Sequence, residues 1–329
     1  MTVNRFLRRP ATYRESPPAI LLVVLILASA VAANHLAREW RRAPIVPESP
    51  AHALPMHLPR VMFWAWERPE DLRFLNPRQA GVAFLAGTIE IQSPNPSDPP
   101  GNSLDVVLEP RLQPLEVPPH TPLMAVVRIE TPHDLWHHPP GWRSNDATAT
   151  PTSLYSKAQR NRVVEMILSL AALRGVRALQ LDYDATRSEQ PFYRQLLETL
   201  RRRLPRSMPL SMTALASWCI GDPWLDSLPP GTVAEAVPML FRMGPDAPAV
   251  ASFMQSGRAF RARVCRASLG VSTDEAFSQE LLDRGLSRPA GQGSPRRIYV
   301  FSNRAWTRAQ VAKILAEVHR WDALAGKSR

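Results

Sequence analysis

Lysine is almost missing from this chain. Only Lys157, Lys313 and Lys327 occur among 40 basic residues, so the formal net charge of +11 is carried by arginine. Those arginines are scattered and accompany no nucleic-acid-binding motif, so nucleic acid is not an expected partner. Cysteine occurs twice, at Cys219 and Cys265, and that spacing excludes a zinc ribbon, a C-x-x-C redox motif and a cysteine-rich scaffold. No G-x-G-x-x-G fingerprint follows an apolar run, which excludes dinucleotide binding of that kind. His133, His137 and His138 lie in a proline-rich loop with no matching set of metal ligands, so neither a metal nor a cofactor is expected.

Proline, in contrast, is plentiful: 34 residues, about twice the usual share. Residues 43–59, APIVPESPAHALPMHLP, read as an extended tether, because regular proline blocks both helix and central strand. Ahead of it lies one run without charge, AILLVVLILASAVAA at 19–33, preceded by Arg5, Arg8, Arg9 and Arg14. A charged leader before an apolar run is the plan of a secretory signal or an uncleaved anchor. The expected organisation is a basic cytoplasmic leader over 1–18, a transmembrane anchor or signal peptide over 19–35, a proline-rich tether over 36–59 and a folded domain over 60–329. The folded domain is then expected on the far side of the inner membrane, anchored in the periplasm or released by cleavage.

After Arg60, short apolar runs alternate with longer helical patterns. VMFWAW (61–66), AGVAFLAGTIEI (80–91), LMAVVRIE (123–130), RALQLDYD (177–184), PLSMTALASW (209–218), AEAVPMLF (234–241), RASLGVS (266–272) and RIYVFS (297–302) read as strands. Helical spacing fills 156–175, 189–204 and 307–324, and DPWLDSL forms a short helix with Asp222 as its cap. Alternation of this kind means a parallel sheet, and about eight strands in this length suggest a closed (β/α)8 barrel of TIM type rather than an open doubly wound sheet. On that placement Cys219 ends one strand and Cys265 precedes the start of another, at opposite ends of the barrel. The expectation is therefore two buried thiols and no disulfide.

Side chains alternate between the two faces of a strand. In LQLDYD, Leu179, Leu181 and Tyr183 share the apolar face, so Gln180, Asp182 and Asp184 point to the barrel axis. Residues two apart are about 6.6 Å apart along the strand, which puts Asp184 nearer the mouth than Asp182. In VVRIE, Arg128 and Glu130 face inward beside them. Ser211 and Thr213 form a polar row on the next strand, and Glu67 shares a face with Phe63 and Ala65 on the first. Such an interior departs from the Val, Ile and Leu of ordinary barrels, and functional residues of this fold sit at the carboxyl ends of the strands. The candidate catalytic residues are Asp184, Glu130 and Asp182. The candidate substrate-binding residues are Glu67, Arg128, Trp218, Arg242, Asn303 and Trp306, with Asp222, Asp274 and Glu275 on the same rim. Aromatic rings at a rim suit the C–H faces of sugars, so the expected partner is a carbohydrate.

The runs WERPEDLRFL, GVAFLAGTI, VVRIE, LQLDYDATRSEQPFYRQLLETLRRRLP, LSMTALASWC, EAVPMLFRMG and LGVSTDE resemble the bacterial DUF3142 family over residues from about 60 to 306. That resemblance implies a barrel of the glycoside-hydrolase type. The paired aspartates are also similar to the chitinase strand D-x-x-D-x-D-x-E, but Ala185 and Thr186 stand where that pattern has its catalytic Glu, so its mechanism does not transfer. Three readings stay open on the sequence: a glycosidase-like hydrolase acting on an envelope or exported polysaccharide, a non-catalytic carbohydrate-binding barrel, and a structural envelope protein.

Overall fold

The short apolar runs and the helical patterns between them assemble as expected in a computed structural model that describes residues 58–91, 106–131, 156–284 and 297–327. The leader, the anchor segment, nearly all of the tether and the three loop histidines lie outside these ranges. The described residues belong to one unit, His52–Arg329. Among them no helix is long and apolar enough to cross a membrane.

The elements run β1 (Val61–Ala65), β2 (Glu70–Asp71), β3 (Ala80–Ile91), β4 (Val106–Pro110), β5 (Leu115–Glu116), β6 (Leu123–Glu130), α1 (Lys157–Ala171), β7 (Val176–Asp182), α2 (Gln190–Arg203), β8 (Leu210–Leu215), α3 (Ala216–Ile220), β9 (Glu235–Met239), α4 (Ala247–Gln255), β10 (Ser268–Ser272), α5 (Ala276–Arg284), β11 (Arg297–Phe301) and α6 (Arg308–Lys327). Strands β1, β3, β6, β7, β8, β9, β10 and β11 pair in parallel in that order, and β11 returns to β1. The sheet is a closed parallel barrel. β3 is the longest of these strands, and above Phe84, where β1 stops, the antiparallel β4 takes its place beside Gly87–Ile91.

Alternation sorts the apolar residues into two cores. Val61, Phe63, Leu179, Leu181, Leu196 and Leu197 fill the layer between strands and helices. Met62, Trp64, Ala83, Met124, Val126, Val237 and Tyr299 fill the barrel itself. β3 changes phase on the way up: the pairing with β6 skips a residue between Leu85 and Gly87, a bulge. Above it Thr88 and Glu90 are opposite the inward Arg128 and Glu130, and Ile89 belongs to the outer layer.

At the end where the strands begin, the barrel is closed by a buried charge pair. Arg297 Nη1 donates to both Glu235 oxygens at 3.0 and 3.1 Å. The Tyr299 hydroxyl donates to Glu235 at 2.5 Å. Arg297 Nε reaches the Pro59 carbonyl at 3.1 Å, tying the entering chain to the barrel. Burial opposes the Arg297 charge, yet Glu235 and Tyr299 together hold its pKa above the ordinary arginine value. One layer up, Trp64 Nε1 donates to Gln180 at 2.9 Å, and Gln180 donates to Ser211 at 3.1 Å. Every large polar group here has a partner, as burial requires.

The structure overturns the reading of the cysteines. Cys219 and Cys265 form a disulfide, with Sγ atoms 2.13 Å and Cα atoms 5.8 Å apart. β8 stops at Leu215, not at Trp218, and the next residues turn into α3. Cys219 has therefore already left the sheet for the outer layer. The segment before β10 runs against it there, with the Arg261 amide donating to the Cys219 carbonyl at 2.9 Å. The two cysteines lie in one layer and not at opposite ends, because β8 ends three residues before Trp218 and the chain turns outward there.

Candidate active site at the barrel mouth

The carboxyl ends of β6, β7 and β8 make one wall of the mouth. Arg128 and Glu130 are successive inward residues of β6, and Arg128 stands opposite Asp182 of β7. Arg128 Nη2 pairs with Glu130 at 2.9 Å, and Nη1 reaches over β3 to Glu67 at 3.4 Å. The three side chains are 38%, 31% and 62% exposed, so this is a wet cluster and not a dry structural lock. Pairs this exposed contribute at most about 1 kcal/mol, which leaves the carboxylates available to a ligand. Asp182 accepts from the Thr213 hydroxyl of β8 at 2.7 Å. Asp184 lies just past the end of β7 and is exposed. Behind them on α2, Tyr193 is fully buried. Burial first, and then the charges of Asp182 and Asp184, push its hydroxyl far above the ordinary tyrosine range.

The other wall is aromatic and comes from β1, β9 and β11. Phe241 and Phe301, both buried at the top of the barrel core, stack with ring centres 5.4 Å apart and planes 4° apart. Trp66 meets Phe301 edge-on at 6.2 Å and is only half-buried. Arg242 lays its guanidinium over Phe301 at 5.1 Å, within cation–π range. Its backbone is in the left-handed region, φ 51°, an uncommon conformation for a residue with a Cβ. The Glu275 carboxylate holds that turn by accepting from the Arg242 amide at 2.8 Å, and Asp274 accepts in the same way from the Asn303 amide at 2.6 Å. The loop bearing Trp66 and Glu67 is held by Arg111, whose guanidinium donates to the carbonyls of Trp66 and of Arg68, the latter at 2.6 Å. Burial pulls the Arg111 pKa below its ordinary value, with Glu70 opposing.

Of the sequence candidates, Asp184, Asp182, Glu130, Arg128, Glu67, Arg242 and Asn303 are at the mouth. Trp218 and Trp306 are not. Trp218 is buried in the outer layer, edge-on to Trp224 at 5.0 Å, because α3 carries it away from β8. Trp306 is buried against Phe63 at 4.9 Å and donates its indole N–H to the Trp64 carbonyl at 2.9 Å. The face given to Glu67 is also corrected: Phe63 and Ala65 point to the helices, and the inward residues of β1 are Met62 and Trp64. Glu67 reaches the mouth because it lies beyond the strand. Phe241, Phe301 and Arg111 were missed. For Phe301 the signal was present, since RIYVF alternates and Tyr299 and Phe301 share a face; nothing local marks Arg111.

Asp222 caps the turn after α3, accepting from the Trp224 amide at 3.1 Å, and takes a further bond from Gln190 at 3.1 Å. Glu189, at the start of α2, is buried and governs the loop that follows Asp184. It accepts from Thr131 at 2.8 Å, from the Thr186 amide at 2.7 Å and from the Thr186 hydroxyl at 2.6 Å. Burial alone would raise its pKa, but these donors together with Tyr183 hold it below the usual carboxylate range. A depressed folded-state pKa contributes stability that is present above the unfolded value and is lost as pH falls through the folded one. Glu189→Gln is therefore expected to remove part of the acid-side loss of stability, with little slope change near neutrality. Denaturant unfolding followed from neutral to strongly acidic pH reads it, and an unchanged acid limb in the variant would refute the assignment.

No protein-family model and no curated protein matches the sequence. Solved structures resemble the chain at low identity. The spore cortex-lytic enzyme SleL of Bacillus cereus is 13% identical, with a TM-score of 0.43, over 78% of this chain and 74% of that one. A family GH18 chitinase from Chromobacterium violaceum is 9% identical, with a TM-score of 0.48, over 83% and 86%. The chitinase RmChi1 of Rhizomucor miehei is 12% identical, with a TM-score of 0.46, over 80% and 99%. At these identities and scores the likenesses carry no argument about chemistry.

Proposed function

We propose that this chain is an exported, glycosidase-like barrel of the DUF3142 type that holds a polysaccharide across its mouth. The observation that carries the reading is the division of the mouth: Glu130, Asp182 and Asp184 on one side and, on the other, the half-buried Trp66 standing over the buried Phe241–Phe301 stack. A sugar ring offers an apolar face to the aromatic wall and hydroxyls to the carboxylates. Hydrolysis needs one carboxyl group to protonate the leaving oxygen and a second to activate water or attack the anomeric carbon. Asp184 and Glu130 are the pair we assign, with Arg128 paired to Glu130 at 2.9 Å and Asp182 behind as a support fixed by Thr213. The export half of the reading rests on the apolar run at 19–33 and on the disulfide, since such bonds persist chiefly in oxidising compartments.

A screen of polysaccharides with the full chain tests the proposal. Hydrolysis is expected, abolished in Asp184→Asn with glycan binding retained. A second reading is binding without cleavage, favoured by the pairing of Glu130 with Arg128 and by Thr186 two positions after Asp184, where the chitinase pattern has its acid. Glycan binding with no product from any polysaccharide would select it. Absence of both binding and hydrolysis would sink the carbohydrate reading.

A further inference from the structure

The mouth uses one end of the barrel, and the other end carries a separate surface. There the adjacent strands β7 and β8 are entered through two neighbouring turns, residues 172–175 and 204–209. Residues 171–177 and 201–209 contain Arg174, Arg177, Arg201, Arg202, Arg203 and Arg206 and no Asp or Glu. Two of these arginines have structural tasks. Arg201 donates to the carbonyls of Leu204 at 3.1 Å, Pro205 at 2.7 Å and Met208 at 2.9 Å, ending α2, and Arg203 pairs with Glu165. Arg174, Arg177, Arg202 and Arg206 are exposed, and among the described residues none of them pairs with a carboxylate. Arg202 touches only the Thr199 hydroxyl, at 3.0 Å.

A leucine stands among them. Leu173 is 43% exposed, one of two large hydrophobic side chains exposed among the described residues. Gly175, with φ 85°, makes the tight turn that presents it next to Arg174 and Arg177. Cations without a carboxylate partner around an outward leucine suit the boundary of an anionic bilayer, where the guanidinium groups meet phosphate and the side chain enters the headgroup layer. Nucleic acid fits less well, because Leu173 offers no ring for a base to stack on. All eight barrel strands are parallel, so this is also the end at which the chain enters β1, at Leu58–Val61, after the apolar run of the sequence.

We propose that the face around Leu173, Arg174, Arg177, Arg202 and Arg206 is a docking surface for an anionic phospholipid membrane, which turns the mouth away from the bilayer. This rests on the reading of residues 19–33 as a membrane anchor, and the test separates the two. The full chain is reconstituted in lipid discs of phosphatidylcholine alone and of phosphatidylcholine with phosphatidylglycerol. Incorporation into the first reads the anchor by itself. The docking face is read by amide hydrogen exchange over residues 173–177 and 204–208. Each arginine near an anionic surface is worth about fivefold in association, so exchange in the phosphatidylglycerol discs is expected to slow at least about fivefold. That protection is expected to vanish at high salt and in the variant R174Q/R177Q/R202Q/R206Q, and to weaken in Leu173→Ser, with unfolding of the barrel unchanged. Equal exchange in the two discs overturns the proposal, and so does protection given by added single-stranded RNA and not by lipid. Should the chain fail to enter neutral discs, the anchor reading falls, and sedimentation with phosphatidylglycerol vesicles decides the face: salt-reversible binding supports it and no binding overturns it.

Discussion

Replacing Glu235 by alanine is expected to lower the unfolding free energy by about 3–5 kcal/mol, because it leaves a guanidinium buried without its counter-charge. Arg297 and Glu235 are each only 2% exposed at their side chains, and both ends of the carboxylate accept from the same guanidinium nitrogen. The same carboxylate is the acceptor for Tyr299, whose hydroxyl is pushed far above the ordinary range by burial first and by Glu235 second. Removing Glu235 therefore orphans two buried donors at once. The partner variant Arg297→Met removes a cation and leaves the carboxylate with only the tyrosine. A combined Glu235→Ala, Arg297→Met chain removes both charges together, and its cost is expected to fall well short of the sum of the two single substitutions. Urea unfolding with an unchanged slope measures all four chains. A loss below about 1 kcal/mol for Glu235→Ala would mean that water reaches Arg297 and that the closure of this end is not dry.

Removing the disulfide is expected to cost a similar amount. Cys219 and Cys265 are 46 residues apart in sequence, and closing a loop of that size in the unfolded chain corresponds to about 4 kcal/mol in the chain-entropy account. The bond joins the β8–β9 connection to the β9–β10 connection, so its loss frees two neighbouring outer segments at the same side of the barrel. Cys219→Ser with Cys265→Ser is expected to unfold at lower denaturant than the parent, and reductant is expected to bring the parent to the same midpoint. Both cysteines are fully buried, so the native parent is expected to resist reductant until it opens. Alkylation of two thiols in the denatured, unreduced parent would contradict the bond and weaken the case for an oxidising compartment.

Much of this arrangement is legible in the residues, for reasons that differ from place to place. The strands AGVAFLAGTIEI and LMAVVRIE are found with their sequence boundaries because turn-forming residues flank them. Alternation then gives the correct face for Arg128, Glu130, Asp182 and Gln180, since one face of each strand is uniformly apolar. It fails on β1, where both faces are apolar and Met62 and Trp64 cannot be told from Phe63 and Ala65 by pattern. It fails again at Trp218, because LASW carries equal strand and helix character and tertiary packing turns it into α3. The small strands β2, β4 and β5 leave no periodic signal at their length. Trp306 was read as rim because tryptophan after a strand suits a sugar site, but its indole N–H is taken by a backbone carbonyl.

The bulge in β3 sets where tolerance to change begins. Below Leu85 the strand follows the packing rhythm of the barrel, and a shift there would displace Ala83 from a sealed interior. Above it the rhythm restarts, so that Glu90 stands level with Glu130 at the rim. Deleting Ala86 would run the pairing without a break from Leu85 and Val126 to Gly87 and Val127 and keep Thr88 and Glu90 on the opening, whereas closing the bulge with every residue retained would set Gly87 and Ile89 opposite Arg128 and Glu130. The barrel is thus divided along its axis into a foundation that the fold cannot renegotiate and a rim whose facing residues depend on one extra residue staying looped out beneath it.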